Sequence, residues 1–105
     1  EKALADGGVS SNIMIDCSHA NSSKNPDIQP LVLKDVTHQI LEGNKSIIGV
    51  MLESFINGGS QSIPENLDNL KYGISVTDAC MDWATTEQSL LEMAAKIRET
   101  LVKRT

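Results

Sequence analysis

The fold is decided by residues 46–52, Ser-Ile-Ile-Gly-Val-Met-Leu, a run that is apolar on both of its alternating faces. This pattern is typical of an interior strand of a parallel sheet, which is covered on each side. A second apolar run, Asn-Ile-Met-Ile-Asp at residues 12–16, is also too short for a helix. We therefore predict two buried strands, near 12–16 and near 46–52.

Between these strands, apolar residues recur at helical spacing: Leu33, Val36, Ile40 and Leu41. Pro30 suits the first turn of a helix, and Asp27 is a candidate cap before it. Gly43 is placed to end the helix. We predict a helix near 30–42, and the strand–helix–strand order then indicates a right-handed parallel crossover.

The segment after the second strand, residues 53–84, is rich in Gly, Ser, Asn and Asp. A loop of this length inside a compact domain is usually functional or partly structured. Thr85 and Gln88 stand at the spacing of a capping box, which predicts a helix near 86–103. Its predicted apolar stripe consists of Leu90, Ala94, Ile97 and Leu101. Residues 1–6 are typical of the end of a helix, with Gly7 and Gly8 as its stop.

Composition limits the partners and the compartment. The 105 residues carry a net charge of −5, which argues against nucleic acid or an anionic membrane as a partner. The two cysteines, Cys17 and Cys80, do not form a disulfide framework, and buried structural thiols are favoured over a redox pair. We therefore expect a reducing, cytoplasmic compartment. The sequence has no apolar run of the length of a membrane span, and no secretory leader opens it.

Two strand–helix units cannot complete an architecture by themselves. They can neither close a barrel nor cover both faces of a sheet, and they leave both long strand edges unpaired. The missing strands must come from upstream sequence, from another chain or from a rearranged oligomer. We therefore expect a longer protein that forms a homo-oligomer.

Polar side chains follow both predicted strands. His19 comes directly after the first strand and Glu53 directly after the second, while Asp78 lies in the long loop that follows. Equivalent positions on neighbouring parallel strands lie about 5 Å apart, at the edge where such folds build active sites. An imidazole with two carboxylates suits Mn²⁺, Fe²⁺ or Zn²⁺. The spacing alone leaves open that His19 is solvated or caps a helix, and that both acids are ordinary loop residues.

Three phrases resemble the type I, metal-dependent 3-deoxy-D-arabino-heptulosonate 7-phosphate (DAHP) synthases. They are MIDCSHANSSK at 14–24, IGVMLES at 48–54 and YGISVTDAC at 72–80, with Trp83 just beyond. They occur in the family's order and span nearly the whole chain. The departures are at loop positions: Gly58 and Ser60 stand where the family often has Glu and Asn, and Asp82 where it often has Gly.

The resemblance implies an α/β fold in which residues 1–105 are the last two βα units of a (β/α)₈ TIM barrel, incomplete as a stand-alone chain. It also implies an aldol-type transferase that condenses phosphoenolpyruvate with erythrose 4-phosphate to DAHP and phosphate. This reaction is the first step of the shikimate pathway and of aromatic amino-acid biosynthesis.

The resemblance further implies one divalent metal ion (Mn²⁺, Fe²⁺, Zn²⁺ or Co²⁺), bound by a Cys, a His, a Glu and an Asp. The last three fall on His19, Glu53 and Asp78, and Asp78 also lies near erythrose 4-phosphate. The family's ligand Cys belongs to upstream sequence, and neither Cys17 nor Cys80 stands at its place. No catalytic residue is assigned beyond these ligands.

Two classes of function are therefore in competition. In the first, the chain is part of a DAHP synthase and is inactive alone. In the second, it is a stand-alone oligomeric structural or interaction module without catalysis. Within the enzyme class, the related 3-deoxy-octulosonate 8-phosphate synthase is a further alternative, although residues 18–24 fit it less well.

Overall fold

Alternating helices and short parallel strands make up the chain, for which the computed structural model describes residues 1–104. The α-helices and strands, in chain order, are α1 (Lys2–Asp6), β1 (Ile13–Asp16), α2 (Gln29–Leu41), β2 (Ile47–Met51) and α3 (Trp83–Lys103). One-turn 3₁₀ segments cover Ala20–Ser22, Pro26–Ile28 and Leu67–Asn69. The chain is thus a mixed α/β structure with a small two-stranded parallel sheet.

The two strands pair in parallel and end side by side. Asp16 at the end of β1 is in register with Met51 at the end of β2. The pairing continues past β1, where the Cys17 N–H donates to the Met51 carbonyl at 2.9 Å. An irregularity in register falls between Ile13 and Met14, at the opposite end of the sheet. The carboxyl ends of both strands therefore deliver the chain to the same edge.

Helices α2 and α3 cover one face of the sheet. The core there consists of Val36, Ile40, Ile47 and Ile97, with Ile15, Val50 and Met93 packed against it. Side chains alternate along a strand, so the neighbouring residues point to the opposite face. Met14 is 67% exposed and Ile48 64% exposed, so that face is open to solvent within residues 1–104. One face of the sheet is packed and the other is bare.

The start of α3 differs from the prediction. The helix begins at Trp83, three residues before 86, and the Asp82 carboxylate accepts the Thr85 N–H at 2.7 Å. The Thr85 capping box is therefore wrong, because Asp82 has the extended backbone and the free oxygen that an N-cap needs. Gln88 instead donates along the helix to Glu92 at 3.1 Å.

The predicted apolar stripe of α3 is only partly buried. Ile97 is 6% exposed, whereas Leu90 is 40% and Leu101 41% exposed. Met93, which the predicted stripe did not include, packs against the core. The buried face of α3 runs instead through Thr86, Met93 and Ile97, and Leu90 and Leu101 lie beside it.

The predicted cap of α2 is also wrong. Asn25, and not Asp27, supplies the capping oxygen, which accepts the Asp27 N–H at 3.0 Å. That cap starts the 3₁₀ turn Pro26–Ile28, which runs directly into α2. At the helix ends, Gly43 follows α2 with φ +110°, as predicted, but after α1 it is Gly8 (φ +74°) that takes the left-handed conformation. Among residues 1–104, no helix is long and apolar enough to cross a membrane.

Candidate metal centre

His19 and Glu53 meet because they leave neighbouring strands at the same edge. His19 lies three residues after the end of β1, where the chain turns into the 3₁₀ segment Ala20–Ser22. Glu53 lies two residues after the end of β2. Parallel pairing brings the two turns together, and His19 Nε2 is 2.9 Å from Glu53 Oε1. The predicted proximity of these two side chains is observed.

Asp78 reaches the same point because the long loop folds back on the end of β2. The Met81 N–H donates to the Glu53 carbonyl at 3.0 Å, and the Phe55 N–H donates to the Met81 carbonyl at 2.9 Å. These bonds hold the strand-like return of the loop beside residues 53–55. Asp78 Oδ2 consequently lies 3.1 Å from His19 Nε2.

The loop itself is ordered by close contacts and hydrogen bonds. Gly73 is buried at φ +73°, and a Cβ there would stand 2.9 Å from Asn57 Nδ2 and 3.0 Å from Ile56 Cβ. Only glycine fits this close, left-handed position. The Gln61 side chain bridges the loop, donating to the Lys71 carbonyl at 2.8 Å and accepting the Lys71 N–H at 3.0 Å. The segment that carries Asp78 therefore has a defined conformation.

The three side chains form a donor set that fits a divalent cation. One ligand atom from each of His19, Glu53 and Asp78 lies within 4.8 Å of the others. Their side chains are 40%, 22% and 57% exposed, so an ion can reach them from solvent. One imidazole nitrogen with two carboxylate oxygens suits the borderline first-row divalent ions. The residues present thus fit a metal ion.

The electrostatics of the site favour positive charge at its centre. The hydrogen bond that the His19 ring makes to Asp16 raises the pKa of His19. Its bond to Asp78 and the negative charges of Asp16 and Glu53 act in the same direction. The bond from His19, followed by that from Ser18, holds the pKa of the Asp16 carboxyl far below its ordinary value. Three carboxylates around one imidazole favour a cation at this point.

Both cysteines, the second histidine and the lysine after β1 lie outside this cluster. Cys17 is fully buried and burial raises the pKa of its thiol to about 11, as expected of a structural thiol. Cys80 is half-buried, its pKa is also raised by burial, and both thiols are free. His38 is exposed, with Nε2 3.6 Å from Glu42. Lys24 is exposed.

Two residues at the site were not singled out from the sequence. Asp16 binds His19 Nδ1 at 2.7 Å through Oδ2. Gln29, only 1% exposed, accepts the Glu53 N–H at 3.0 Å and donates to the Glu53 carbonyl at 3.1 Å. The sequence does indicate Gln29: it lies four residues before Leu33, on the apolar stripe of α2. A polar residue on that buried stripe must have a hydrogen-bond partner.

Comparison with known proteins gives the family. Residues 2–91 match the model of the DAHP synthetase I family. The chain is 47% identical over 104 residues to the Tyr-sensitive phospho-2-dehydro-3-deoxyheptonate aldolase of Enterobacter agglomerans. It is 51% identical over 88 residues to a putative phospho-2-dehydro-3-deoxyheptonate aldolase of Schizosaccharomyces pombe. The chain belongs to the DAHP synthetase I family.

A solved structure agrees with this assignment. The phospho-2-dehydro-3-deoxyheptonate aldolase of Francisella tularensis SCHU S4 superposes with a TM-score of 0.83 at 37% identity, over 92% of this chain and 28% of that one. The two curated relatives are matched over 99% and 83% of this chain but over only 49% and 24% of their own lengths. The chain thus spans between a quarter and a half of its relatives.

Proposed function

We propose that this chain is the part of a DAHP synthase that supplies three ligands of the catalytic metal ion. The complete enzyme would condense phosphoenolpyruvate with erythrose 4-phosphate to DAHP and phosphate, the first step of the shikimate pathway. The ligands would be His19, Glu53 and Asp78, with a fourth ligand, a Cys, from polypeptide outside these residues. The ion would be Mn²⁺, Fe²⁺, Zn²⁺ or Co²⁺.

One observation carries the proposal: three side chains from three separate family-like phrases meet within 4.8 Å. His19, Glu53 and Asp78 are 34 and 25 residues apart in sequence, so no local element brings them together. A pairing of parallel strands and a folded-back loop are both needed. Solvated loop residues do not require such an arrangement.

For the architecture, we propose that the chain forms the last two βα units of a (β/α)₈ barrel. Its support is the bare sheet face at Met14 and Ile48 and the open strand edges within residues 1–104. In a barrel such strands are paired on both edges, and inward side chains pack in layers. Further strands would cover the exposed apolar surface, and we propose that the complete protein is a homo-oligomer.

The roles of the chain's own residues follow from their geometry. A bound divalent ion supplies Lewis-acid polarisation of an aldehyde oxygen, here that of erythrose 4-phosphate. His19 presents Nε2, and Glu53 and Asp78 present carboxylate oxygens, at one point of the sheet edge. Asp78 is the most exposed of the three and lies on the loop, so we propose that it also borders erythrose 4-phosphate.

The competing readings have less support. The family match and the names of the relatives are those of DAHP synthases, so neither the 3-deoxy-octulosonate 8-phosphate synthase nor a non-catalytic module is favoured. The two free thiols support a reducing compartment, and we propose the cytoplasm.

The test is DAHP formation from phosphoenolpyruvate and erythrose 4-phosphate, with and without a chelator. This chain and the complete gene product that contains it are assayed side by side. We expect chelator-sensitive activity in the complete protein and none in this chain. Activity in neither would refute the substrate assignment, and activity in this chain alone would refute the need for residues outside it.

Matched histidine variants of the complete protein locate the site. His19→Ala is expected to abolish or severely reduce turnover, because it removes the nitrogen ligand. His38→Ala is the control, since its side chain is 75% exposed and its Nε2 lies 3.6 Å from Glu42. Undiminished metal-dependent turnover in His19→Ala would refute the ligand assignment.

A further inference from the structure

The Asp16 carboxylate organises the turn that carries His19. Its Oδ1 accepts the Ser18 N–H at 2.8 Å, the Ser18 hydroxyl at 2.7 Å and the His19 N–H at 3.3 Å. Its Oδ2 lies 2.7 Å from His19 Nδ1. One oxygen therefore fixes the backbone of the turn, and the other fixes the imidazole ring.

The two ring nitrogens of His19 face different partners. Nδ1 faces Asp16, whereas Nε2 lies 2.9 Å from Glu53 and 3.1 Å from Asp78. A neutral imidazole carries one proton, and a metal ion binds the nitrogen that lacks it. An ionised carboxylate only accepts hydrogen bonds, so the ring nitrogen that faces it carries a proton. Glu53 and Asp78 face Nε2 in this way too, but a divalent ion held by their oxygens would take the place of the Nε2 proton, whereas Asp16 would still hold the proton on Nδ1. Carboxylate partners of this kind fix the tautomer and orientation of ligand histidines.

We propose that Asp16 is a positioning residue of the metal centre, whose carboxylate holds the proton of His19 on Nδ1 and so aims a bare Nε2 at the point shared by Glu53 and Asp78. This inference rests on the proposed function, because it requires His19 to be a metal ligand. It adds a residue that binds no metal itself and acts only through the imidazole.

Asp16→Asn separates this role from that of a structural turn residue. The amide oxygen can still accept the Ser18 and His19 N–H groups, which keeps the turn. The amide NH₂ then faces Nδ1 and donates to it, which moves the ring proton to Nε2 and blocks that nitrogen. Asp27→Asn is the matched control, since Asp27 is an exposed aspartate of the same connection between β1 and α2.

The measurement is Zn²⁺ binding to the metal-free complete protein that contains this chain, at pH 7.5 by isothermal titration calorimetry, with circular dichroism to check folding. Loss of the outer carboxylate partner of a ligand histidine weakens metal affinity about 10- to 100-fold. We expect a loss of that size for Asp16→Asn, unchanged affinity for Asp27→Asn and no binding for His19→Ala. Equal affinity of Asp16→Asn and the unsubstituted complete protein would overturn the role of Asp16 and leave the metal site standing.

A second measurement needs no substitution. Long-range ¹⁵N–¹H correlation spectra of the Zn²⁺-loaded complete protein distinguish a protonated ring nitrogen from a metal-bound one. We expect Nδ1–H and a Zn²⁺-bound Nε2 for His19, and Zn²⁺ on Nδ1 would contradict the proposal. If the unsubstituted complete protein takes up no Zn²⁺, the metal site of the proposed function fails, and this inference fails with it.

Discussion

The Gln29 side chain binds the backbone of Glu53 through two hydrogen bonds, and its replacement tests how much they stabilise the chain after β2. The side chain is 1% exposed and makes both hydrogen bonds that the Glu53 peptide N–H and carbonyl offer to it, at 3.0 and 3.1 Å. Gln29→Leu keeps the approximate shape and removes both bonds. The Glu53 carbonyl retains the Met81 N–H, but the Glu53 N–H loses its acceptor.

The expected cost follows from that orphaned donor. A buried polar group left without a partner costs about 1–3 kcal/mol. We therefore expect Gln29→Leu to lower the free energy of unfolding by about 2 kcal/mol. With a urea m-value of about 1–2 kcal/mol/M, the unfolding midpoint falls by about 1–2 M. Gln29→Glu should cost more, because its second oxygen would face the Glu53 carbonyl oxygen across the same contact.

The assay is urea unfolding of this chain followed by circular dichroism, with Gln39→Leu as the control. Gln39 lies on the same helix and is exposed, with Nε2 3.0 Å from Asp35. Surface substitutions of this kind change stability by no more than about 0.5 kcal/mol. Equal midpoints for Gln29→Leu and Gln39→Leu would refute the stabilising role of the two Gln29 hydrogen bonds.

Two further predictions concern the helices. Leu33→Ala removes a side chain that is 2% exposed, so we expect the free energy of unfolding in urea to fall by about 2–5 kcal/mol. Leu31→Ala is the control: its side chain is 60% exposed, and the change should stay within about 0.5 kcal/mol. Similar losses for the two variants would contradict the packing of α2. The hydrogen bonds of Asp82 to Thr85 lower the pKa of that carboxyl, so its contribution to stability is present above its ordinary pKa and lost as pH falls through the lowered value. Thermal melts between pH 6 and pH 2 should therefore show a smaller acid-induced decrease in Tm for Asp82→Asn, which still caps α3, and an unchanged decrease would refute the role of the charge.

The strands and the helix between them were predictable because their signals do not compete. Apolar runs at 12–16 and 46–52 are too short for helices, and the observed strands are Ile13–Asp16 and Ile47–Met51. Helix α2, Gln29–Leu41, lies within one residue of the predicted bounds. The start of α3 was missed because Asp82 and Thr85, three residues apart, are both good caps, and only the extended backbone at Asp82 decides between them.

Only the site residues that lie close to the end of a strand could be predicted from spacing. Parallel pairing brings the ends of β1 and β2 to one edge, and His19 and Glu53 lie three and two residues beyond those ends, so the sequence indicated both. Asp78 depended on how the long loop folds back, which spacing does not specify and the resemblance supplied. Asp16 was missed because a polar residue at the end of a short apolar run was interpreted only as the boundary of the strand. Its carboxylate is nevertheless three residues before His19 and reaches the imidazole ring.

The most direct test of the account is where this chain binds Zn²⁺. Crystals of the complete protein that contains this chain, grown with Zn²⁺ and measured at the zinc absorption edge, give the ion's position by anomalous diffraction. We predict a single strong peak about 2.0–2.2 Å from His19 Nε2 and from a carboxylate oxygen of Glu53 and of Asp78. A peak elsewhere, such as between His38 and Glu42, or no peak at this site, would contradict the assignment of the metal centre.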